Sequence, residues 1–337
     1  MKKVSVIIPC FNATKYLPKC FMSLVQQTIG IDQIELIFVD DASTDEDATW
    51  NMLQEFERAY PESIMILKLE ENMRQGGARN VALQYATGEY IAFVDADDFV
   101  SENFLLETYE KAKESDADII QFEYFYYTDR LGAVDSGRNI TPEVIEISSV
   151  SDRKRFLISE KVTYGCWNKL YRHTLLNEAH TAYAEHVIYE EPLFVYPLLY
   201  FANKIVILND AYYYYRQNDS GTMRNDMRQE ETLKMHADVQ LAVWNFMKKT
   251  PFFKEYYDEI KLYFLHTYLY ETLYFAKLRD FKPSYAFYKE LEKTVLAEVP
   301  DYEESTYSAL IPKQMELYRM IGEGMTEEKF GGYWERL

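Results

Sequence analysis

The sequence predicts an α/β protein: a doubly wound, mostly parallel sheet followed by an α-helical C-terminal region. Three observations carry this. Short β-branched runs alternate with amphipathic stretches through about the first 125 residues, the pattern of consecutive β-α-β units. Three of those runs stop at polar or acidic loops, which a parallel sheet with right-handed crossovers brings to a single edge. From about Gln229 onward the apolar spacing is helical throughout.

Val4 to Ile8 is a β-branched run closed by Pro9, as in a buried parallel strand. A polar loop, Phe11 to Thr14, precedes a helix over Lys15–Gln27 with Leu17, Phe21, Leu24 and Val25 on one side. Ile34 to Val39 is the second strand, ending in Asp40-Asp41-Ala42-Ser43-Thr44-Asp45. Ser43 or Thr44 is placed to N-cap a helix over Glu46–Arg58. Ile64–Leu67 is the third strand. A glycine-bearing loop from Glu70 to Asn80 then leads into a helix through Ala86. Tyr90–Val94 is the fourth strand, a helix covers Ser101–Lys113, and Ala117–Tyr127 is the fifth strand.

The fourth strand, launched by a Gly88-Glu89 turn, runs into Asp95, Asp97 and Asp98. Acids delivered at the carboxyl end of a strand in an open α/β sheet lie where such sheets bind ligands. Asp95 and Asp97 would share a face if the extended geometry persisted, and two such oxygen donors suit Mg²⁺ or Mn²⁺ held together with substrate phosphates. The alternative is an acidic loop before a helix, with Ser101 as N-cap and Asp98 at the positive end of the dipole. Convergence of three such loops, Pro9–Asn12, Asp40–Asp45 and Asp95–Asp98, favours a nucleotide-phosphate and metal site. No G-x-G-x-x-G follows the first strand and no phosphate-binding G-x-x-x-x-G-K-S/T occurs, which disfavours a dinucleotide fold or a P-loop.

With 55 acidic against 36 basic residues, the chain lacks the cations that neutralise a nucleic-acid backbone, and no nucleic-acid partner is expected. Nor does it have a general attraction to anionic membranes. No apolar run approaches ~20 residues, so no spanning helix is expected. Pro9 and Asn12 interrupt the first apolar run too early for a secretory signal. Cys10, Cys20 and Cys166 are odd in number and scattered, as for reduced thiols in a cytoplasmic protein. The five histidines show no zinc-ligand spacing.

The segments Val-Ser-Val-Ile-Ile-Pro-Cys-Phe-Asn, Phe-Val-Asp-Asp-Ala-Ser-Thr-Asp, Gly-Gly-Ala-Arg-Asn and Ala-Thr-Gly-Glu-Tyr-Ile-Ala-Phe-Val-Asp-Ala-Asp-Asp together resemble the family 2 glycosyltransferases over about residues 1–220. The resemblance implies a GT-A fold and an inverting, metal-dependent enzyme with a nucleotide-sugar donor. It implies a cell-envelope or polysaccharide setting in bacteria, a hexosyl or N-acetylhexosaminyl group transferred from a UDP-sugar, and Mn²⁺ or Mg²⁺ as cofactor. Carried over by position, Pro9, Phe11 and Asn12 would line the nucleobase pocket and Asp41 would accept a hydrogen bond from uracil. Asn72 and Arg79 would complete the base and diphosphate contacts. Asp95 and Ala96 would lie by the ribose, with Asp97 as metal ligand and Asp95 beside it. Arginine is the residue for bidentate phosphate contacts, and the metal offsets diphosphate charge. Each has a simpler structural alternative: a strand end for Pro9, a turn for Asp41, loop shape for Asn72, a solvated helix position for Arg79.

Between Arg130 and Ser149 the pattern is that of a polar loop or hairpin beside the pocket. Thr163-Tyr-Gly-Cys-Trp-Asn-Lys-Leu-Tyr-Arg172 resembles a segment that, in part of the family, sits under the acceptor site. Trp167 offers an aromatic face to a sugar or belongs to the core, and Lys169 could meet a phosphate or an acid. In Val187-Ile-Tyr-Glu-Glu-Pro, where the family has Glu-Asp, Glu191 takes the aspartate's place. It is the candidate base for the acceptor hydroxyl, with Glu190 as support or substitute. An ordinary acidic first helical turn is the alternative. Asp210–Tyr215 reads as a tyrosine-rich strand, and Arg216 with the residues through 223 resembles a lid over the diphosphate, or a surface arginine.

The expected organisation is a catalytic domain over 1–222, with a nucleotide-sugar half (1–128) and an acceptor-side half (129–222), and a helical region over 223–337. A helix between Phe253 and Lys277 has apolar stripes on two sides, Tyr257, Ile260, Phe264 and Tyr268 on one, Leu262, Leu265, Leu269 and Leu273 on the other. It must be covered twice: by further helices near 284–297 and 313–321, by a second copy in a homodimer, or by a membrane surface. Partners expected from the resemblance are a UDP-sugar and a glycan or lipid-linked glycan, with at most peripheral contact at the inner face of the membrane. Two other functions remain. A haloacid-dehalogenase-like phosphohydrolase carries its D-x-D on the first strand, followed two residues on by Thr or Val; here Phe99 follows, on the fourth. A nucleotide-sugar-binding scaffold that has lost its base rests only on the Glu190-Glu191 departure.

Overall fold

The structure, a computed structural model, describes residues 2–217 and 230–337. The chain divides into two compact units, Met1–Asn218 and Asp219–Leu337. The 222/223 boundary expected from sequence, and the lid residues 218–223, lie outside the described residues.

The first unit is built on β1 (Val4–Cys10), β2 (Ile34–Asp40), β3 (Ile64–Lys68), β4 (Tyr90–Phe93), β5 (Phe99–Val100), β6 (Ile119–Thr128), β7 (Gly132–Asp135), β8 (Glu143–Glu146), β9 (Lys169–Arg172) and β10 (Lys204–Arg216). They form one sheet in the order β3-β2-β1-β4-β9-β6-β10-β5, with β7 on β6 and β8 on β10. β1 to β4 run parallel, and β10 runs parallel to β6. Helices α1 (Leu17–Val25), α2 (Ala48–Ala59), α3 (Arg74–Leu83), α4 (Phe104–Ser115), α5 (Val150–Leu157), α6 (His173–Ala179) and α7 (Glu191–Phe201) complete the unit. The β-branched residues of β1 and β2 are buried on both faces, as in a covered parallel sheet. Ser5 is the polar exception. Its hydroxyl donates to Glu35 and accepts from the Gly88 N–H at 2.8 Å. A Cβ on Gly88 would come within 2.4 Å of the Ser5 nitrogen, so only glycine permits this approach.

Several local expectations are corrected. Lys169–Arg172 forms β9, antiparallel between β4 and β6, although four residues with a charge at each end give no strand signal in sequence. The segment from Arg130 to Ser149 does form a hairpin, β7 on β6, and what was not expected there is the separate strand β8. Neither Ser43 nor Thr44 caps α2. Their hydroxyls accept from the Asn12 backbone N–H and Asn12 Nδ2, tying the loop after β1 to the loop after β2, while the Asp45 carboxylate accepts from the Thr49 N–H and hydroxyl. Ser101 does not cap α4, because its N–H is held by the Tyr212 carbonyl beside β5 and the helix starts at Phe104. Gly76 to Arg79 are helical residues of α3 rather than loop.

The second unit contains α8 (Glu230–Met247), α9 (Tyr257–Phe264), α10 (Thr272–Leu278), α11 (Tyr285–Glu298), α12 (Pro312–Gly322) and α13 (Glu327–Arg336), with a π-helical segment, Leu265–Glu271, joining α9 to α10. That segment packs against α8, α11 and α12. Most of both predicted stripes is buried: Ile260, Phe264, Leu265, Leu269 and Leu273 are each at most 2% exposed, while Tyr257 and Leu262 are partly exposed. Several buried polar groups are paired here too. Tyr263 Oη donates to Gln240 Oε1, and the His236 ring meets the Thr272 hydroxyl. Burial pushes the His236 imidazole down to about 4 and keeps it neutral. Among the described residues no helix is long and apolar enough to cross a membrane.

Candidate active site

The carboxyl ends of β1, β2 and β4 are neighbours in the sheet, so the three loops singled out in the sequence meet at one edge. Pro9 is partly buried, paired with Val39 at the end of β1. Phe11 beyond it is 48% exposed and presents an open ring. Asn12 takes a left-handed φ of 50°, which turns its side-chain oxygen to the Thr44 N–H at 2.8 Å. Asp41 is buried and its Oδ1 accepts from the Met73 N–H at 2.7 Å, just before α3. Desolvation pushes its carboxyl up to about 6 against those backbone donors. Asn72 is exposed and braces the same corner by donating to the Asp41 carbonyl.

The extended geometry does not persist through the D-x-D. β4 ends at Phe93, and the Asp98 N–H closes a turn onto the Asp95 carbonyl at 3.0 Å. Within the turn Ala96 is buried and Asp95 and Asp97 are partly exposed. Asp98 is 1% exposed, accepting from Tyr213 Oη at 2.7 Å and the Arg216 N–H at 2.6 Å. Desolvation, with Asp97 and Asp95 nearby, raises its carboxyl well above the usual range. Tyr213 Oη also accepts from the Asp95 N–H, so one phenol fixes both ends of the turn. Among the described residues no group of three His, Cys, Asp or Glu side chains could hold a metal ion. Two partly exposed carboxylates in a turn are a donor set for a hard divalent cation that completes its shell with ligand oxygens and water. They fit Mg²⁺ or Mn²⁺ in that sense.

Arg79 lies behind the turn, only 2% exposed. Its Nη2 meets Asp95 Oδ1 at 2.6 Å and its Nη1 meets Glu190 Oε1 at 2.5 Å. It is neither the solvated helix residue of the simpler reading nor open toward a diphosphate. Glu190 is as deeply buried and also accepts from Gln75 Nε2. A Cβ on Gly76 would come within 2.9 Å of Glu190 Cγ and 2.2 Å of the Ala184 carbonyl, so the glycine admits the segment carrying Glu190 against α3. Glu191 stands apart. It is partly exposed and its Oε1 accepts from the Cys166 N–H at 2.8 Å. Desolvation and then the Glu190 charge push it up to about 7, against Arg79 and the Cys166 N–H. Pro192 starts α7 beside it, in the first turn where a missing N–H is tolerated.

Trp167, expected on the acceptor side, is partly buried in an aromatic cluster. It stacks on Tyr215 with centroids 5.3 Å apart and planes 10° apart, and meets Tyr124 edge-on at 4.8 Å. Lys169 meets neither an acid nor open space. It is wholly buried, donating to Thr163 Oγ1, the Gly165 carbonyl and Asn168 Oδ1, and burial lowers its amine to about 7. It organises the Thr163–Asn168 loop. Arg216 is not a surface residue either. At 6% exposure it donates to the Asp97 carbonyl, pairs with Asp129 at 2.6 Å and lies over the Tyr16 and Tyr127 rings. Tyr213, Tyr215, Gly76 and the Cys166 N–H were missed in the sequence. A run of four tyrosines signals a strand but not which hydroxyls turn toward the acids.

A parallel-dominated sheet that gathers an acidic turn at one edge, beside a second element that brings Glu191, is the arrangement of a GT-A fold. Residues 5–179 match glycosyl transferase family 2, and the chain belongs to that family and is a glycosyltransferase. It is 31% identical over 240 residues to Glycosyltransferase GlyG of Streptococcus pneumoniae serotype 4, covering 66% of this chain and 73% of that protein. It is 30% identical over 223 residues to the poly(ribitol-phosphate) beta-N-acetylglucosaminyltransferase TarS of Staphylococcus aureus, 66% of this chain and 36% of that one. The chain spans about a third of the TarS length. The fold is similar to the crystal structure of S. aureus TarS 1-349 in complex with UDP-GlcNAc. The TM-score is 0.74 at 21% identity, over 98% of this chain and 89% of that one.

Proposed function

We propose that the chain transfers a hexosyl or N-acetylhexosaminyl group from a UDP-sugar, with inversion, to a hydroxyl of a glycan acceptor during synthesis of a bacterial cell-surface polymer. The observation that carries this is Glu191, a partly exposed residue whose carboxylate is held by one N–H and raised by burial to about 7. A base near the working pH is the efficient choice for taking a proton from an attacking hydroxyl. The Arg79 and Gln75 contacts that fill its surroundings argue against Glu190 for that role. The relatives support the donor, since TarS is crystallised with UDP-GlcNAc. Three free, buried thiols support a cytoplasmic setting, with the acceptor reached at the inner face of the membrane when it is lipid-linked.

In this reading Phe11, Asn12 and Asp41 bind the nucleoside at the β1–β2 edge. Asp97 and Asp95 would hold Mn²⁺ or Mg²⁺, which would supply charge neutralisation for the diphosphate as leaving group. Arg79 braces Asp95 from behind rather than touching phosphate. Glu191 takes the proton as the acceptor oxygen bonds to the anomeric carbon and the bond from that carbon to the diphosphate oxygen breaks. UDP release is measured across a panel of UDP-sugars with Mn²⁺ and with EDTA. Metal-dependent hydrolysis of at least one donor is expected; no release and no UDP binding across the panel would sink the assignment.

A further inference from the structure

One face of the β6–β10 pair carries aromatic rings that the donor chemistry leaves unused. Tyr124 and Tyr126 on β6 are opposite Tyr213 and Tyr215 on β10. Trp167 lies against Tyr215, Tyr124 and Tyr126 meet edge-on at 5.4 Å, and their hydroxyls are 3.4 Å apart. The inner end of this face adjoins the site. Trp167, tilted onto Tyr213 at 4.7 Å, follows Cys166, whose N–H donates to Glu191, and the Tyr213 hydroxyl donates to Asp98 at 2.7 Å, so the face borders both the acidic turn and Glu191. The outer end is open, with Tyr126 38% exposed.

The charges around these rings are committed. Arg138, 6.0 Å from the Tyr124 centroid, faces Glu123 at 3.5 Å; Lys169 is wholly buried; Arg216 is paired with Asp129. A phosphate polymer laid here would meet the carboxylates near Tyr213 and cations already engaged by carboxylates or carbonyls. A sugar ring matches the rings instead, setting its C–H face on an aromatic face and its hydroxyls to the paired phenols.

We propose that Tyr126, Tyr124 and Trp167 form an acceptor subsite for an uncharged saccharide, leading its hydroxyl to Glu191, and that this face rejects polyanionic acceptors. The inference rests on the glycosyltransferase reading given above and names the class of its acceptor. The test titrates neutral mono- and oligosaccharides, and separately a ribitol-phosphate oligomer, into the UDP-loaded full chain by calorimetry. At least one neutral saccharide is expected to bind, about tenfold more weakly in Tyr126→Ala and with affinity restored in Tyr126→Phe, with UDP affinity unchanged in both. Tyr126 is exposed, so the variants leave the fold in place. No neutral binder across the panel, tighter binding of the phosphate oligomer, or a neutral affinity unmoved by Tyr126→Ala would overturn the subsite. Absence of UDP binding in the unaltered chain would count against the donor reading instead.

Discussion

The acidic turn after β4 and the acidic start of α7 are the same kind of feature, carboxylates crowded at the end of an element, and each divides internally. In both, one member is almost wholly buried, Asp98 at 1% and Glu190 at 2%, while Asp95, Asp97 and Glu191 are partly exposed residues. They differ in what surrounds the buried member. Asp98 is held by a phenol and a backbone N–H, Glu190 by the Arg79 guanidinium. A carboxylate satisfied by neutral donors is raised strongly by burial, whereas an opposing cation offsets much of that rise. The lesson is that adjacency in sequence says nothing about role; the buried acid of each group shapes the site and the exposed one is available to ligands.

The largest effect that sharpens this comparison is on turnover. Glu191→Gln is expected to lower kcat by about 10³-fold with UDP-sugar affinity unchanged, read by UDP release and calorimetry. A protein acting only as a binding scaffold would have no turnover to lose. Next is stability. Arg79→Ala leaves Glu190 and Asp95 unpaired in a buried region, and a loss of about 3–5 kcal/mol is expected in denaturant unfolding. A change within 1 kcal/mol would break the account of Glu190 as a scaffold residue. Asp98→Asn keeps the shape but exchanges one charge-assisted contact, and about 1–2 kcal/mol is expected, with donor affinity reduced less than activity in Glu191→Gln.

The smallest effect is the pH dependence of stability. Glu191 is raised from 4.5 to about 7 in the folded chain, so folding favours its protonated form. Its contribution is complete below about 4.5 and lost as pH rises through about 7. Glu191→Gln is therefore expected to flatten the thermal stability profile between those limits, measured by melting temperature at fixed ionic strength.

Much of the acidic sheet edge was legible because β1, β2 and β4 are contiguous apolar runs ending abruptly in Pro9, Asp40 and Asp95, and a parallel sheet leaves no choice about where those ends meet. The region around β9 was less so. β9 begins with the buried Lys169 and ends with Arg172, and nothing in that composition says that the lysine folds back onto the Gly165 carbonyl. Gly76 read as a loop residue because its need arises from Glu190, more than a hundred positions away in the chain. Arg79 was singled out for a diphosphate contact, yet a residue type suited to phosphate is equally suited to two carboxylates, and only the fold decides which it meets.

The central claim is that Glu191 is the base and Glu190 its buried neighbour. It is tested most directly by the pH dependence of kcat in the unaltered chain and in Glu190→Gln. The unaltered chain should gain activity as pH rises through about 7, where Glu191 gives up its proton. Because the Glu190 charge raises Glu191, Glu190→Gln should keep the rising limb and move it to lower pH. A variant in which the limb disappears along with activity would make Glu190 the base and contradict the account.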